Sequence, residues 1–148
     1  LAVVEGVPTG GFDVEAAIGR DPRHRTRQAV VAGGKYAFTS VRVVERFATH
    51  ALVSARLETG RTHQIRVHMA HKGFPLVGDI RYGSRRRLPT QANAPLLRCL
   101  QQFSRQALHA CRLGFEHPGS GEALNFEEPL PADMQTLVDL LREHSTRA

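Results

Sequence analysis

Between Arg61 and His68 the chain places two arginines, two histidines and a glutamine within eight residues, Arg-Thr-His-Gln-Ile-Arg-Val-His. A planar guanidinium offers five N–H donors and matches a carboxylate or phosphate through two of them at once. At a junction where a strand hands over to a helix, such groups can be aimed at an anion, or at a base held by its phosphates. On a helix Arg61 and Arg66 point to different sides, so one can reach phosphate while the other turns inward. An inward arginine needs a carboxylate partner, because an unpaired ion in the interior is very costly. Two roles stay open for it: a member of a reactive site, or a tie between helix and sheet.

Other chemistries fit less well. His63, His68 and His71 lack the two-histidine spacing of a zinc helix and have no glutamate between them, so no metal is expected. No Gly-x-Ser-x-Gly occurs, and neither Ser84 nor Ser104 has an evident base. Gly10-Gly11 and Gly33-Gly34 read as turns and not as phosphate loops. Cys99 and Cys111 have no paired metal spacing and suit free thiols in a reducing cytoplasm.

The elements that must position the motif follow from periodicity. Leu1–Glu5 reads as a buried strand, and 11–18 holds a short one. Asp21–Arg27 carries Arg23, His24, Arg25 and Arg27 and reads as a polar loop, either a solvated charge run or a phosphate contact. From 36 to 47, Ala37, Thr39, Val41, Val43 and Phe47 repeat at period two. After a break at Thr49-His50, Ala51, Val53, Ala55 and Leu57 do the same, which predicts an antiparallel hairpin. Thr62–Lys72 switches to helical spacing and stops at Gly73. The segment 91–102 is helical if Pro95 lies in its first turn. A second hairpin spans 107–126 around Pro118-Gly119-Ser120-Gly121. The helix 131–143 carries the stripe Met134, Leu137, Val138 and Leu141, read as core packing. Strands in hairpins with helices between them predict an α+β fold, with a mixed, mostly antiparallel sheet and flanking helices.

The 148 residues fit one domain, and 41% are hydrophobic, enough for a core. No apolar run is long enough for a membrane span, and no signal peptide is evident. Lys and Arg total 20 against 14 Asp and Glu, for a net charge of +6, and only Lys35 and Lys72 are lysines. An arginine excess of this kind suits nucleic acid, or simply a GC-rich genome, and Arg23, Arg25, Arg27, Arg85, Arg86 and Arg87 are the candidate phosphate contacts. The missing initiator Met and the abrupt strand-like opening point to a piece of a longer chain.

The segment Leu57–His68, Leu-Glu-Thr-Gly-Arg-Thr-His-Gln-Ile-Arg-Val-His, resembles the central motif of the RluA/RluD-type pseudouridine synthases of ribosomal and transfer RNA. The resemblance continues through Pro75–Asp79, Tyr82-Gly83, Arg105–Ala110, His117-Pro118 and Pro129–Pro131, covering nearly the whole chain in order. It implies an enzyme that isomerises uridine in RNA to pseudouridine, without metal or organic cofactor, with ribosomal RNA as the partner and the cytoplasm as its place. An aspartate is essential to that chemistry, as nucleophile or as base at the sugar. By position, Arg66 resembles the arginine that pairs with this aspartate, and Ile65 the apolar residue that packs on the uracil. Arg61, His63 and Gln64 belong to the same motif and are expected to support the site or to contact the RNA substrate. The family's aspartate lies in a His-Arg-Leu-Asp motif that this chain lacks: Asp13, Asp21, Asp79, Asp133 and Asp139 have other contexts, and Asp79 reads as structural. The family's Lys-x-Tyr segment would fall just before Leu1. The chain thus resembles the C-terminal part of a catalytic domain, expected to be inactive alone and to expose apolar surface. The competing reading is a non-catalytic RNA-binding module on the same scaffold.

Overall fold

The computed structural model describes residues 1–83 and 88–147. Its elements run in the order β1 (Ala2–Glu5), β2 (Phe12–Glu15), β3 (Ile18–Arg20), β4 (Gln28–Val30), β5 (Phe38–Arg46), β6 (His50–Leu57), α1 (Gln64–His71), α2 (Ala94–Gln102), β7 (Arg112–Glu116), β8 (Ala123–Glu127) and α3 (Ala132–Arg147). Four strands form the central sheet in the order β1-β6-β5-β2, and β3-β4 and β7-β8 form two ribbons. Every pairing among these strands is antiparallel. The fold is therefore α+β, and the parallel component implied by a mixed sheet is not present among the described strands.

The sheet is covered on both faces, and β1 shows why. All four of its residues are buried. Val3 joins Leu52 and Phe47 in a cluster with Leu96 and Leu100 of α2 and Met134, Leu137, Val138 and Leu141 of α3. Ala2 and Val4 face the other way, with Val41, Ala51, Val53 and Met69 of α1. The free side of β1 is met by two loop segments: Val77 N–H donates to Val3 C=O and Val3 N–H to Ala107 C=O, both at 3.0 Å. A strand buried on both faces and bonded on both sides needs a continuous apolar run, and Ala-Val-Val supplies it.

The long hairpin holds a correction to the period-two pattern. The register of β5 on β6 slips between Val43 and Glu45, a bulge at Val44. Val41 packs on the α1 face, while Phe47 packs on the α2–α3 face. One extra residue inverts the alternation, so Phe47 does not share a face with Val41 as expected.

Three further boundaries moved. The short strand expected within 11–18 is β2, and beyond it β3 starts at Ile18 and pairs with β4, which the basic composition around it concealed. The break at Thr49-His50 is tighter than expected, and His50 already belongs to β6. Helix α1 starts at Gln64 and not at Thr62, because His63 sits at φ +57° in the left-handed region. Helix α2 starts as its sequence asks: the Asn93 side chain accepts from Leu96 N–H at 2.9 Å, with Pro95 in the first turn. The β7–β8 ribbon is exposed along nearly its whole length and presents Leu113, Phe115 and Phe126 to solvent.

His50 gives the fold an acid sensitivity. It is 1% exposed. Its Nδ1 meets the Thr49 hydroxyl at 2.8 Å, and among the described residues its Nε2 has no partner. Burial, followed by the charge of His144, pushes its pKa down to about 4. The unfolded chain then takes up this proton more readily than the folded one. The contribution is complete above the ordinary value of about 6.5 and is lost as pH falls toward 4. Urea titrations at pH 7 and pH 4.5 should show a loss of roughly 2–3 kcal/mol from this group, and His50→Leu should flatten that slope. An unchanged slope in the variant would assign the sensitivity elsewhere.

Candidate active site

The motif folds around an internal amide. Gln64, 3% exposed, lies one turn before His68, which is fully buried. Gln64 Oε1 accepts from the Thr59 hydroxyl at 2.8 Å and from Arg61 N–H at 3.0 Å. Its Nε2 donates to Phe38 C=O and to Thr39 Oγ1, both at 2.9 Å. Thr39 Oγ1 in turn lies 2.9 Å from His68 Nδ1, and His68 Nε2 lies 2.9 Å from Ala16 C=O. One proton arrangement satisfies all of these contacts. Thr39 accepts from Gln64 and donates to Nδ1, so neutral His68 carries its proton on Nε2 and gives it to Ala16. Burial also pushes the His68 pKa down, which favours that neutral form. Every donor and acceptor of the Gln64 amide is thus engaged inside the protein, tying α1 to β5 and to the end of β6. The structure places Gln64 behind the site and leaves it no free donor for a substrate.

The outward residues of α1 build a second cluster. Arg66 Nε donates to Asp79 Oδ2 at 2.7 Å and Nη2 donates to Oδ1 at 2.9 Å. The side chains are 13% and 1% exposed. Asp79 Oδ1 also accepts the N–H groups of Arg81 and Tyr82, each at 3.1 Å. Burial alone would push the Asp79 carboxyl up. The Arg66 hydrogen bonds and the two amides outweigh it and hold the pKa below the usual carboxylate range. The Arg66 guanidinium carbon lies 4.8 Å from the centre of the Tyr82 ring, a cation–π contact. The Tyr82 hydroxyl accepts from Gln28 N–H at 3.1 Å and lies 2.7 Å from His63 Nδ1. Burial, then the charges of Arg66 and Arg81, push the His63 pKa down. A neutral His63 can accept the tyrosine proton on Nδ1 and keeps an N–H on Nε2.

The remaining described candidates make contacts of their own. Arg61 Nε donates to Tyr36 C=O at 2.8 Å. Ile65 lines an open groove of about 930 Å³ with Ser54, Arg56, Leu57, His109 and Leu113. Arg23 and Arg25 stand exposed on the β3–β4 turn, where Asp21 Oδ1 accepts from Arg23 N–H at 2.8 Å. That ribbon is anchored beside the cluster, because Gln28 bonds Tyr82 and Arg81 Nη1 reaches Thr26 C=O at 3.4 Å. Arg27 is half-buried at its base. Arg85, Arg86 and Arg87 lie outside the described residues. Among the described residues, no group of three or more His, Cys, Asp or Glu side chains could hold a metal ion, and no helix is long and apolar enough to cross a membrane.

Asp79 and Tyr82 are the site residues that the sequence reading missed. The signal was present: an arginine turned off the helix needs an acid, and Asp79 follows the end of α1 at His71 by eight residues.

Known proteins share this sequence and this fold. The sequence profile described as RNA pseudouridylate synthase matches residues 2–71. Ribosomal large subunit pseudouridine synthase D of Pseudomonas aeruginosa is 50% identical over 142 residues, 96% of this chain and 44% of that protein. The proteins of the same name from Xanthomonas campestris pv. campestris and Escherichia coli K12 are 50% and 48% identical, over 100% and 95% of this chain and 45% and 43% of theirs. The chain thus spans less than half the length of these curated relatives. Human RNA Pseudouridylate Synthase Domain Containing 1 is similar in structure, with a TM-score of 0.70 and 25% identity over 95% of this chain and 63% of that one. In profile match, in identity along the chain and in fold, this chain is similar to the pseudouridine synthases.

Proposed function

We propose that this chain is the C-terminal portion of the catalytic domain of an enzyme that converts specific uridines in large-subunit ribosomal RNA to pseudouridine in the cytoplasm. The observation that carries the reading is the Arg66 guanidinium, held at one edge by Asp79 and stacked on Tyr82, next in sequence to Ile65 at an open groove. Breaking the N1–C1′ bond of uridine and joining C1′ to C5 moves one proton from C5 to N1 and needs neither metal nor redox partner. It needs a carboxylate at the sugar and a uracil out of its stack. Arg66 suits the counter-ion of that carboxylate, which the upstream half of the domain would supply. Ile65 suits the apolar contact to the base. His63 and Arg61 flank them, and Gln64 sets their spacing from behind. The exposed Arg23 and Arg25, with Arg27 and the arginines at 85–87, suit the phosphates of the surrounding RNA.

The test is tritium release from ribosomal RNA transcribed with uridine labelled at C5. The 148-residue chain alone should give background release. The chain joined to an upstream half of the kind its relatives carry should release one tritium per target site. Turnover by the short chain would show that the acid is present within it, and no turnover by the long chain would leave only RNA binding.

A further inference from the structure

Among the described residues Asp79 is the one carboxylate on Arg66, and its placement leaves a particular part of the guanidinium unused. Two of the five N–H donors, on Nε and Nη2, go to Asp79. Among the described residues, no acceptor meets Nη1 or the second N–H of Nη2. The Tyr82 ring covers one face, so the group is fixed at an edge and a face while its far side stays unmatched. A simple tie between α1 and the 79–82 turn would need only the engaged edge. It would gain nothing from leaving the other donors of the guanidinium unmatched, on a side chain that is still 13% exposed.

We infer that Asp79 is a positioning residue for the reaction: it takes up the Nε–Nη2 edge of Arg66 so that the Nη1 side is presented, already oriented, to the carboxylate at the sugar. This deepens the reading above and rests on it. A long, four-torsion side chain left to itself would have to be ordered in each catalytic cycle. Preordering by a buried partner removes that step from the barrier. Asp79 touches no substrate and acts through Arg66 alone.

The experiment uses the long chain and the tritium assay, with kcat and KM measured separately at a temperature where circular dichroism shows each variant folded. Asp79→Asn keeps the shape and can still accept the Arg81 and Tyr82 amides, but it loses the charge and one strong acceptor. Its kcat should fall about 100-fold with KM for RNA within threefold. Arg66→Lys keeps the charge without the fork and should fall by a similar factor. The double variant should be no slower than Arg66→Lys within threefold, because Asp79 has nothing left to orient. A merely structural Asp79 would instead leave kcat unchanged in the folded fraction, or multiply its cost with that of Arg66→Lys, and either result overturns the inference. If Asp79→Asn does not fold, Arg66→Lys decides: wild-type kcat there rules out a need for the fork. A wild-type long chain without turnover overturns the functional reading and this inference with it. An active wild type with an unaffected Asp79→Asn removes the positioning role only.

Discussion

Replacing Gly78 by alanine should destabilise the protein by about 3 kcal/mol or more, the largest loss expected from adding a single methyl group. Gly78 has φ +74°, where an L side chain is strained. A Cβ built there would also overlap the Arg105 carbonyl oxygen and lie 2.9 Å from the Phe103 ring. Neither neighbour can move aside cheaply. Arg105 is fixed by Asp133 at 2.7 and 2.8 Å, and Phe103 sits in the core under α3. Val77, just before the glycine, bonds both Val3 and Ala107, so the turn cannot slide away from β1. Gly60→Ala is the control: nothing lies within 4 Å of its Cβ position, and the change should cost a few tenths of a kcal/mol. Urea midpoints of the two variants check this. A Gly78→Ala midpoint close to that of Gly60→Ala would show that the 77–79 turn yields easily.

Arg66→Met is the second large effect. It removes the positive partner of a carboxylate that is 1% exposed. Breaking a buried pair from one side leaves an uncompensated charge, and a loss of about 3 kcal/mol is expected, because the Arg81 and Tyr82 amides still serve Asp79. The pH dependence reports the cause. In the wild type the lowered Asp79 pKa adds stability above the ordinary value near 3.8, which is lost as pH falls through the folded value. In the variant, burial without Arg66 raises that pKa, so stability is present at low pH and lost as pH rises through it. The deficit should therefore be widest at neutral pH and shrink below about pH 4. A deficit independent of pH would mean that lost packing on Tyr82, and not the stranded charge, sets the cost. In the long chain the same change should lower turnover by about 10²–10³-fold.

Much of this was legible because apolar spacing is a strong signal. The α3 stripe Met134, Leu137, Val138 and Leu141 is buried in full, as its spacing requires. The β5–β6 hairpin likewise follows from alternation. Three kinds of feature were not legible. Gln64 and His68 share the inward face of α1 with Val67 and Met69 although both are polar, and only the positions of Thr39, Thr59 and Ala16 explain why. Their partners are distant in sequence, so no local pattern announces them. The β4 strand was hidden because Arg23–Arg27 dominated the composition next to it. The ion pair of Arg66 was expected to reach an acid outside the chain. The structure shows an acid 13 positions away on the Nε–Nη2 edge, and a guanidinium has further donors to offer a second one. The motif was readable as a set of residue types, but its division into outward and supporting members was not.

The surplus residue at Val44 makes β5 a counting device. Before it, odd-numbered side chains serve the layer beneath α1; beyond it, Phe47 serves the layer beneath α2 and α3. Evolution and engineers alike should find this stretch intolerant of length change, since deleting one residue would send an aromatic ring into the wrong interior. The 117–121 loop, which only closes an outlying ribbon, can grow or shrink without either layer noticing.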